Sequence, residues 1–497
     1  MEQTEMSDSD QSPPSPLPKD LRKVPSPIRI DVPNRPRPVS SYNSPIVSRI
    51  SNTPSSTRSG SPVSSGKDRT KNETPTKKDR RISNSRKNTN GVKSVKEPEG
   101  TIVIVGIDFG TTASGFAYAD AINPNVIEIF DDWPCWQGYL KTSTSILYDS
   151  ITGTAVQWGE ETQVSLIRKR RRLMNSMDSN FKELEAFKMI IVKYGEEDAV
   201  ELWKKAVVDY LTNFGAKLQQ ALQAVYPSIS LSKNASIILS IPSFFSASVQ
   251  SLLCECFERA LSIPSSNLHF VYESVASAVY CMRLLPGHHE DVGCKFLVVT
   301  CGGETVQLTV RQLMENDKLR ECTIQTGEIC GAMEVEKEFE AWFGKRVGID
   351  GLTKWKKEYY GQWKYLLHVF IKEVKYEFTG IEENFRPFRL DLLEFCPNLK
   401  YLVSESYRAQ LKSVEWIIDV TFADVKSFFD PIVDKIIKLI SDQIKQCENV
   451  DVMFIVGGFA NSEYLVRRIK KEFKDTVKKI TVPAQPIAAV LKGSVFY

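Results

Sequence analysis

The sequence predicts a duplicated α/β fold with two lobes and a ligand site between them. Three observations carry this. Apolar, strand-like runs recur beside glycine turns. A strand–turn–strand unit at 102–118 returns about 190 residues later, at 296–310. Helical periodicity fills much of the intervening sequence. The chain has 497 residues, 42% hydrophobic and 25% charged, which is ample material for a large core.

The first unit, 101–120, reads as an apolar strand over 102–107, a turn through Asp108-Phe109-Gly110-Thr111-Thr112, and a return strand over 115–118. β-Branched and apolar residues suit both arms, and Gly110 tolerates backbone angles that other residues resist. Such a turn aims backbone N–H groups and the hydroxyls of Thr111, Thr112 and Ser114 at one spot, an anion cradle suited to phosphate. Asp108, at the strand end, is placed to orient a hydrated Mg²⁺. A plain hairpin turn with incidental hydroxyls gives the same local pattern, so the rest of the chain must decide.

After a loop at Asp131-Asp132-Trp133-Pro134, strands are predicted at 143–148 and 155–159. Phe187-Lys188-Met189 opens an apolar stretch, and 201–225 has helical spacing in Leu202, Ala206, Val207, Tyr210, Leu211, Phe214 and Leu218. A buried strand at 235–241 ends at Pro242 and leads into a helix at 247–261. A short strand at 269–272 runs into a small-residue helix that begins at Glu273. The second unit is a strand at 296–299, a turn through Cys301-Gly302-Gly303-Glu304-Thr305, and a strand at 306–310. Helices follow at 334–343 and 359–378, with strands or connectors at 390–393 and 413–420. The stretch 422–444 is strongly amphipathic, and Pro431 should kink or break it. A strand at 451–456 leads through Gly457-Gly458 to a helix at 462–473.

Charge is unevenly spread. Residues 1–100 carry 19 Lys and Arg against 11 Asp and Glu, and the remainder 45 against 50. Residues 1–98 are rich in Ser, Pro and basic residues without apolar periodicity, and read as a disordered tail. Ser12, Ser15, Ser26, Ser44, Thr53, Ser61 and Thr74 each precede a proline, a pattern suited to phosphorylation and, with Lys77-Lys78-Asp79-Arg80-Arg81, to protein partners. The basic run 168–172 lacks an interleaved aromatic pattern, so nucleic acid is not an expected partner. Ten cysteines without a C-x-x-C pair, and four histidines, argue against a zinc site or disulfide framework. No apolar run approaches membrane-spanning length and the start is acidic and polar, so a cytoplasmic or nuclear protein is expected.

Three stations now stand in one order: Gly110-Thr111-Thr112, Gly302-Gly303-x-Thr305 and Val456-Gly457-Gly458-Phe459. With IPSFFSASVQ at 241–250 and YESVASAVY at 272–280, they resemble the actin-like (ribonuclease H-like) ATPase fold of the 70-kilodalton heat-shock proteins. FKM at 187–189, FFDPIVDKI at 428–436 and GGFANSEYL at 457–465 are similar to the divergent member-twelve branch of that family. The resemblance covers roughly 101–497 and implies lobes at 99–290 and 291–497 around a cleft for ATP or ADP with Mg²⁺. It implies that Asp108 lies near the metal, that Thr111 and Thr112 contact phosphates, and that Lys188 supplies a cation at the γ-phosphate. Glu273 would lie beside the attacking water. Gly302, Gly303 and Thr305 would line the β- and γ-phosphates, Gly457 and Gly458 approach the nucleoside, and Lys375 packs along the base. Read without the family, Lys188 is an ordinary surface lysine, Glu273 a helix cap and Gly457-Gly458 a strand-to-helix turn.

The second loop departs from the family pattern Asp-x-Gly-Gly-Gly-Thr-x-Asp. Thr300 and Gln307 replace its aspartates and Glu304 its third glycine; Asn461 and Lys372 replace a usual arginine and glutamate. A carboxylate about 4 Å from a phosphate charge costs roughly 4 kcal/mol at an effective dielectric near 20. Glu304 should therefore weaken nucleotide binding unless it turns away or holds the metal. The expectation is an ATP-binding, heat-shock-70-like domain with slow or absent hydrolysis; the alternative is a pseudo-ATPase scaffold. A sugar or acetate kinase on the same fold lacks an acceptor signature. The chain reaches Tyr497 where such a domain should close, so no peptide-binding β-sandwich is expected.

Overall fold

The computed structural model describes residues 100–164, 181–189, 197–285, 292–447 and 449–497. Contacts divide the chain into two units, 1–84 and 85–497, and every described residue belongs to the second. The tail read as disordered and the basic run at 168–172 lie outside the described residues.

The first half is built on one sheet. Strands β1 (Val103–Phe109), β2 (Ala113–Asp120) and β3 (Glu128–Ile129) form an antiparallel meander. Outside it, β4 (Ser145–Asp149) and β5 (Phe181–Glu185) pair in a separate small sheet. Helix α1 (Glu197–Val225) leads to β6 (Ala235–Ile241), α2 (Ala247–Leu261) and β7 (Leu268–Tyr272). The main sheet order is β7-β6-β1-β2-β3, with β6 and β7 parallel to β1. Every residue of β1 and β6 is buried, as parallel strands covered on both faces require. Helix α3 (Glu273–Met282) follows β7 directly.

The second half repeats this plan. Strands β8 (Lys295–Cys301), β9 (Thr305–Met314) and β10 (Lys318–Glu321) form the meander, and β11 (Thr326–Ile329) also pairs with β9. Helices α4 (Met333–Val347), α5 (Tyr360–Phe370) and α6 (Phe422–Lys445) precede β12 (Val452–Val456). Helix α7 (Glu463–Phe473), β13 (Lys479–Thr481) and α8 (Ala489–Phe496) complete it. The order β10-β9-β8-β12-β13, with β12 and β13 parallel to β8, matches the first sheet strand for strand.

The two helices that end the halves lie between the sheets and pack on each other. Apolar residues of α8 (Val490, Leu491, Val495) share a core with Ile104, Ala117 and Ile238 of the first sheet. Those of α3 (Ala278, Val279, Met282) pack with Phe296, Val298 and Phe454 of the second. A Cβ on Gly493 would fall 1.8 Å from the Ala276 carbonyl oxygen, so this crossing requires glycine. Each helix thus seals the other half's sheet.

Three local expectations are corrected. Helix α6 runs through Pro431 without the break that was one of its two expected effects. The ring and Ser427, whose carbonyl loses its intrahelical partner, are both exposed, so water can take the orphaned acceptor. The helix expected over 359–378 is α5 followed by a π-helical turn, Ile371–Lys375. Leu202 is 39% exposed, and Trp203, fully buried, faces the core instead.

Candidate functional site

Every predicted station lies at the carboxyl ends of the central strands, where open α/β sheets place ligands. The register sets Asp108 beside Ser240 and Thr300 beside Val456, so the first glycine turn leaves next to the loop after Pro242 and the second next to the Gly457 loop.

In the first turn, Gly110 is needed because a Cβ would lie 2.3 Å from the Ala113 carbonyl oxygen. Its own carbonyl accepts the Thr144 hydroxyl at 2.8 Å. Thr111 is half-buried and Thr112 exposed. Ser114 does not join them: it is fully buried and shares a 2.7 Å hydrogen bond with Thr144. Residue 114 lies in β2, opposite Phe109, and points into the core. Asp108 is 4% exposed and forms a salt bridge with Lys141, while Ser240 Oγ donates weakly to its other oxygen at 3.5 Å. Lys141 was invisible to sequence reasoning. It stands 33 positions from Asp108, and no local spacing links them.

In the second turn, Gly302 N–H closes on the Thr305 carbonyl at 2.8 Å. The loop's three carbonyls are then taken by the approach to α4. Met333 N–H donates to Gly303 at 2.7 Å, Ala332 N–H to Gly302 at 3.1 Å, and Gly331 N–H to Glu304 at 2.9 Å. Thr305 and Glu304 are buried, 7% and 2% exposed. The two turns touch: a Cβ on Gly303 would fall 2.3 Å from Thr112 Oγ1. Thr300 Oγ1, where the family carries an aspartate, is buried with no hydrogen-bond partner among the described residues.

Lys188 and Glu273 are brought together, at 2.9 Å. Lys188 is 1% exposed, which excludes a surface lysine, and its ammonium lies 5.8 Å from the ring centroids of both Phe109 and Phe245. The second Glu273 oxygen accepts the Gln307 amide, whose carbonyl in turn accepts Ser243 N–H at 3.3 Å. An aspartate at 307 would set two carboxylates face to face. The amide donates instead and ties β9 to both the loop after Pro242 and the start of α3.

At the third station, Gly457 has φ +92°, and a Cβ there would lie 2.3 Å from the Cys301 carbonyl oxygen. Gly458 is exposed, and Asn461 Nδ2 folds back onto its carbonyl at 3.3 Å. Lys375, closing the π-helical turn, donates to the Ala332 carbonyl and to Glu336, both at 2.7 Å. It therefore braces α4 against this wall.

A cross-cleft cluster that sequence reasoning missed lies on β5 and α5. Tyr360 Oη donates to Glu183 at 2.9 Å, and Lys364 pairs with Glu185 at 2.5 Å and Glu183 at 3.6 Å. Gln163 Nε2 also donates to Glu183, at 2.9 Å. Burial pushes the Glu160 carboxyl up to about 7; Lys372 and Lys364 oppose the rise and Glu183 adds to it. Burial likewise raises Glu183. For Lys364, burial pulls downward, but Glu185 and Glu183 outweigh it and the ammonium is held above its ordinary value.

Two sheets of identical order, joined through a crossed helix pair and with both glycine turns at facing strand ends, define a two-lobed actin-like ATPase fold. The chain's sequence is similar to proteins of the divergent member-twelve branch of the 70-kilodalton heat-shock proteins. It is 23% identical over 487 residues to heat shock 70 kDa protein 12A of Homo sapiens, spanning 81% of this chain and 70% of that relative. The corresponding figures for the 12A protein of Mus musculus are 24% over 491 residues, 82% and 71%. For human heat shock 70 kDa protein 12B they are 23% over 486 residues, 80% and 68%. No protein-family model matches the chain. Among the described residues, no helix is long and apolar enough to cross a membrane, and no group of three or more His, Cys, Asp or Glu could hold a metal ion.

Proposed function

We propose that this protein binds ATP or ADP between its two lobes and hydrolyses it slowly or not at all. The carrying observation is the meeting of the two glycine turns, Thr112 against Gly303, beside the cations of Lys141 and Lys188. The Gly110–Thr112 and Gly302–Gly303 backbones, with the Thr111 and Thr112 hydroxyls, would hold phosphate oxygens. Lys141 would exchange Asp108 for a phosphate, and Gly457 and Gly458 would let the nucleoside approach the second lobe closely.

The residues fit Mg²⁺ only as an ion that arrives with the nucleotide. A single carboxylate suffices when phosphates and water complete the shell, and Asp108 would be that carboxylate once Lys141 releases it. When bound, the ion neutralises charge on the phosphate oxygens. Glu304 is a second candidate, although at 2% exposure it must turn to reach an ion in the cleft.

Hydrolysis also needs a group that orients water for in-line attack. Glu273 has both oxygens committed, to Lys188 and Gln307, while Thr300 and Gln307 carry no charge. These facts support slow turnover. The buried carboxylate of Glu304 within the second turn favours a second reading, a scaffold that binds no nucleotide.

Calorimetric titration of the full chain with ATP, with and without Mg²⁺, tests both. Micromolar binding that needs Mg²⁺ and weakens in Asp108→Asn supports the nucleotide reading. No heat in the parent or in Glu304→Gly leaves the scaffold.

A further inference from the structure

Lys141 reaches Asp108 along a path that the sequence keeps open. Asp108 of β1 stands opposite Gly115 of β2 in their antiparallel register. A Cβ on Gly115 would fall 2.6 Å from the Leu140 carbonyl oxygen and 2.9 Å from Lys141 Cγ. The missing side chain is therefore the slot in which the lysine stem crosses the strand. Immediately after it, Thr142 and Ser143 pair with Ser114 and Ala113, which fixes the backbone from which the stem departs. The ammonium ends on Asp108 Oδ2, and 11% of the lysine side chain is exposed. Asp108 Oδ1 lies 3.6 Å from where a Cβ on Gly110 would stand, with Ser240 Oγ at 3.5 Å. One carboxylate thus carries a resident cation on one oxygen and borders the first glycine turn with the other. Nearby acids are committed or buried: Glu273 is held by Lys188 and Gln307, and Glu304 lies within the second turn.

We propose that Lys141 is an autoinhibitory counter-ion, which occupies the cation place at Asp108 until an arriving nucleotide draws its ammonium away. The inference deepens the nucleotide reading above and rests on it for the trigger. The competition at Asp108 stands on the ion pair itself. A unit positive charge about 4 Å from a second one, at an effective dielectric near 20, weakens the binding of that second charge by roughly 1000-fold. Free Mg²⁺ is therefore kept out while the ammonium stays. A triphosphate changes the balance, because it offers oxygens both to the ammonium and to the shell of the metal. Metal and nucleotide then enter together. Taking the lysine away by mutation leaves a buried carboxylate stranded, and a divalent ion from solution becomes its replacement.

The test is thermal unfolding of the full chain without nucleotide at rising Mg²⁺, with ionic strength held constant by KCl. The proteins are the parent, Lys141→Met, Lys141→Gln and the double variant Lys141→Met with Asp108→Asn. The parent midpoint should not move. Lys141→Met should melt below the parent and recover as Mg²⁺ is added, with an apparent affinity at least about tenfold tighter than the parent's. Lys141→Gln keeps a hydrogen-bond donor for Asp108 without the charge, so it should fold even where Lys141→Met does not, and should show the same rise. The double variant, with no carboxylate to pair, should show none. A folded Lys141→Gln that ignores Mg²⁺ overturns the proposal and leaves Lys141–Asp108 a structural ion pair. A parent whose midpoint rises with Mg²⁺ as far as the variants' overturns it equally, because the lysine would exclude nothing. Calorimetry of the parent with ATP and Mg²⁺ is the separate arm. Metal-dependent rises in the variants without ATP binding by the parent overturn the nucleotide reading and the trigger, and uphold the competition at Asp108.

Discussion

Lys188 is a charge taken almost wholly out of water, and its partner explains how that is tolerated. At 1% exposure the ammonium has lost its hydration, and Glu273 at 2.9 Å, with two aromatic faces, replaces it. Removing one member of such a pair strands the other. Lys188→Met should lower unfolding free energy by about 3–5 kcal/mol in urea titrations. Adding Glu273→Gln should restore much of it, since a neutral amide can remain with Gln307. A single variant as stable as the parent would show that the pair is not closed to water. The adjacent glycines Gly457 and Gly458 give a sharper contrast. Gly457→Ala meets both a positive φ and the Cys301 carbonyl, and should cost about 3 kcal/mol or more. A Cβ at Gly458 meets nothing closer than Ile487 Cδ1 at 4.0 Å, so Gly458→Ala should stay within about 0.5 kcal/mol. Equal costs at both positions would contradict the geometry.

Between elements, the decisive contact is the crossing of α3 and α8. It brings Gly493 onto the Ala276 carbonyl, and the second half's last helix onto Gly106 of β1, where a Cβ would meet the Leu491 carbonyl at 2.8 Å. Backbone meets backbone at both points, so no side-chain rotation relieves an added methyl. Gly493→Ala should force the helices apart and cost several kcal/mol, more than a typical overpacked core site. A thermal midpoint unchanged from the parent would show that the crossing yields. This scale also shows what the sequence could reveal. Strands such as 235–241 and 451–456 were legible because burial on both faces writes itself as an unbroken apolar run. The duplication was legible because two glycine turns stand in equivalent places. The break considered at Pro431 does not occur, because the ring and the carbonyl it orphans both face solvent. Ser114 misled because strand alternation turned its hydroxyl inward. Asp108–Lys141, Glu273–Gln307 and Glu183–Tyr360 were illegible, since each joins residues that the fold alone brings together.

For the whole molecule, β5 and α5 meet across the two halves, and burial there raises the pKa of Glu160 and of Glu183. Glu183 and Glu185 face Tyr360 and Lys364, with Glu160, Lys372 and His368 close by. A carboxyl held at about 7 in the folded protein, against an ordinary value near 4.5, binds more protons when folded than when unfolded throughout that interval. Stability from Glu160 is therefore complete below about 4.5 and is lost as pH rises through about 7. Glu183, also raised, acts in the same direction. His368 acts in the opposite one: burial, then Lys372 and Lys364, lower its pKa, so its contribution is lost as pH falls below its ordinary value. Comparison with Glu160→Gln isolates the first group, because the amide stays neutral at every pH. Thermal midpoints of parent and variant should agree near pH 5 and diverge toward pH 8, with the variant the more stable. His368 is common to both proteins and cancels in the difference. Parallel profiles across the range would mean that Glu160 is hydrated in the folded protein, and that the cross-cleft contact carries no proton-linked energy from that residue.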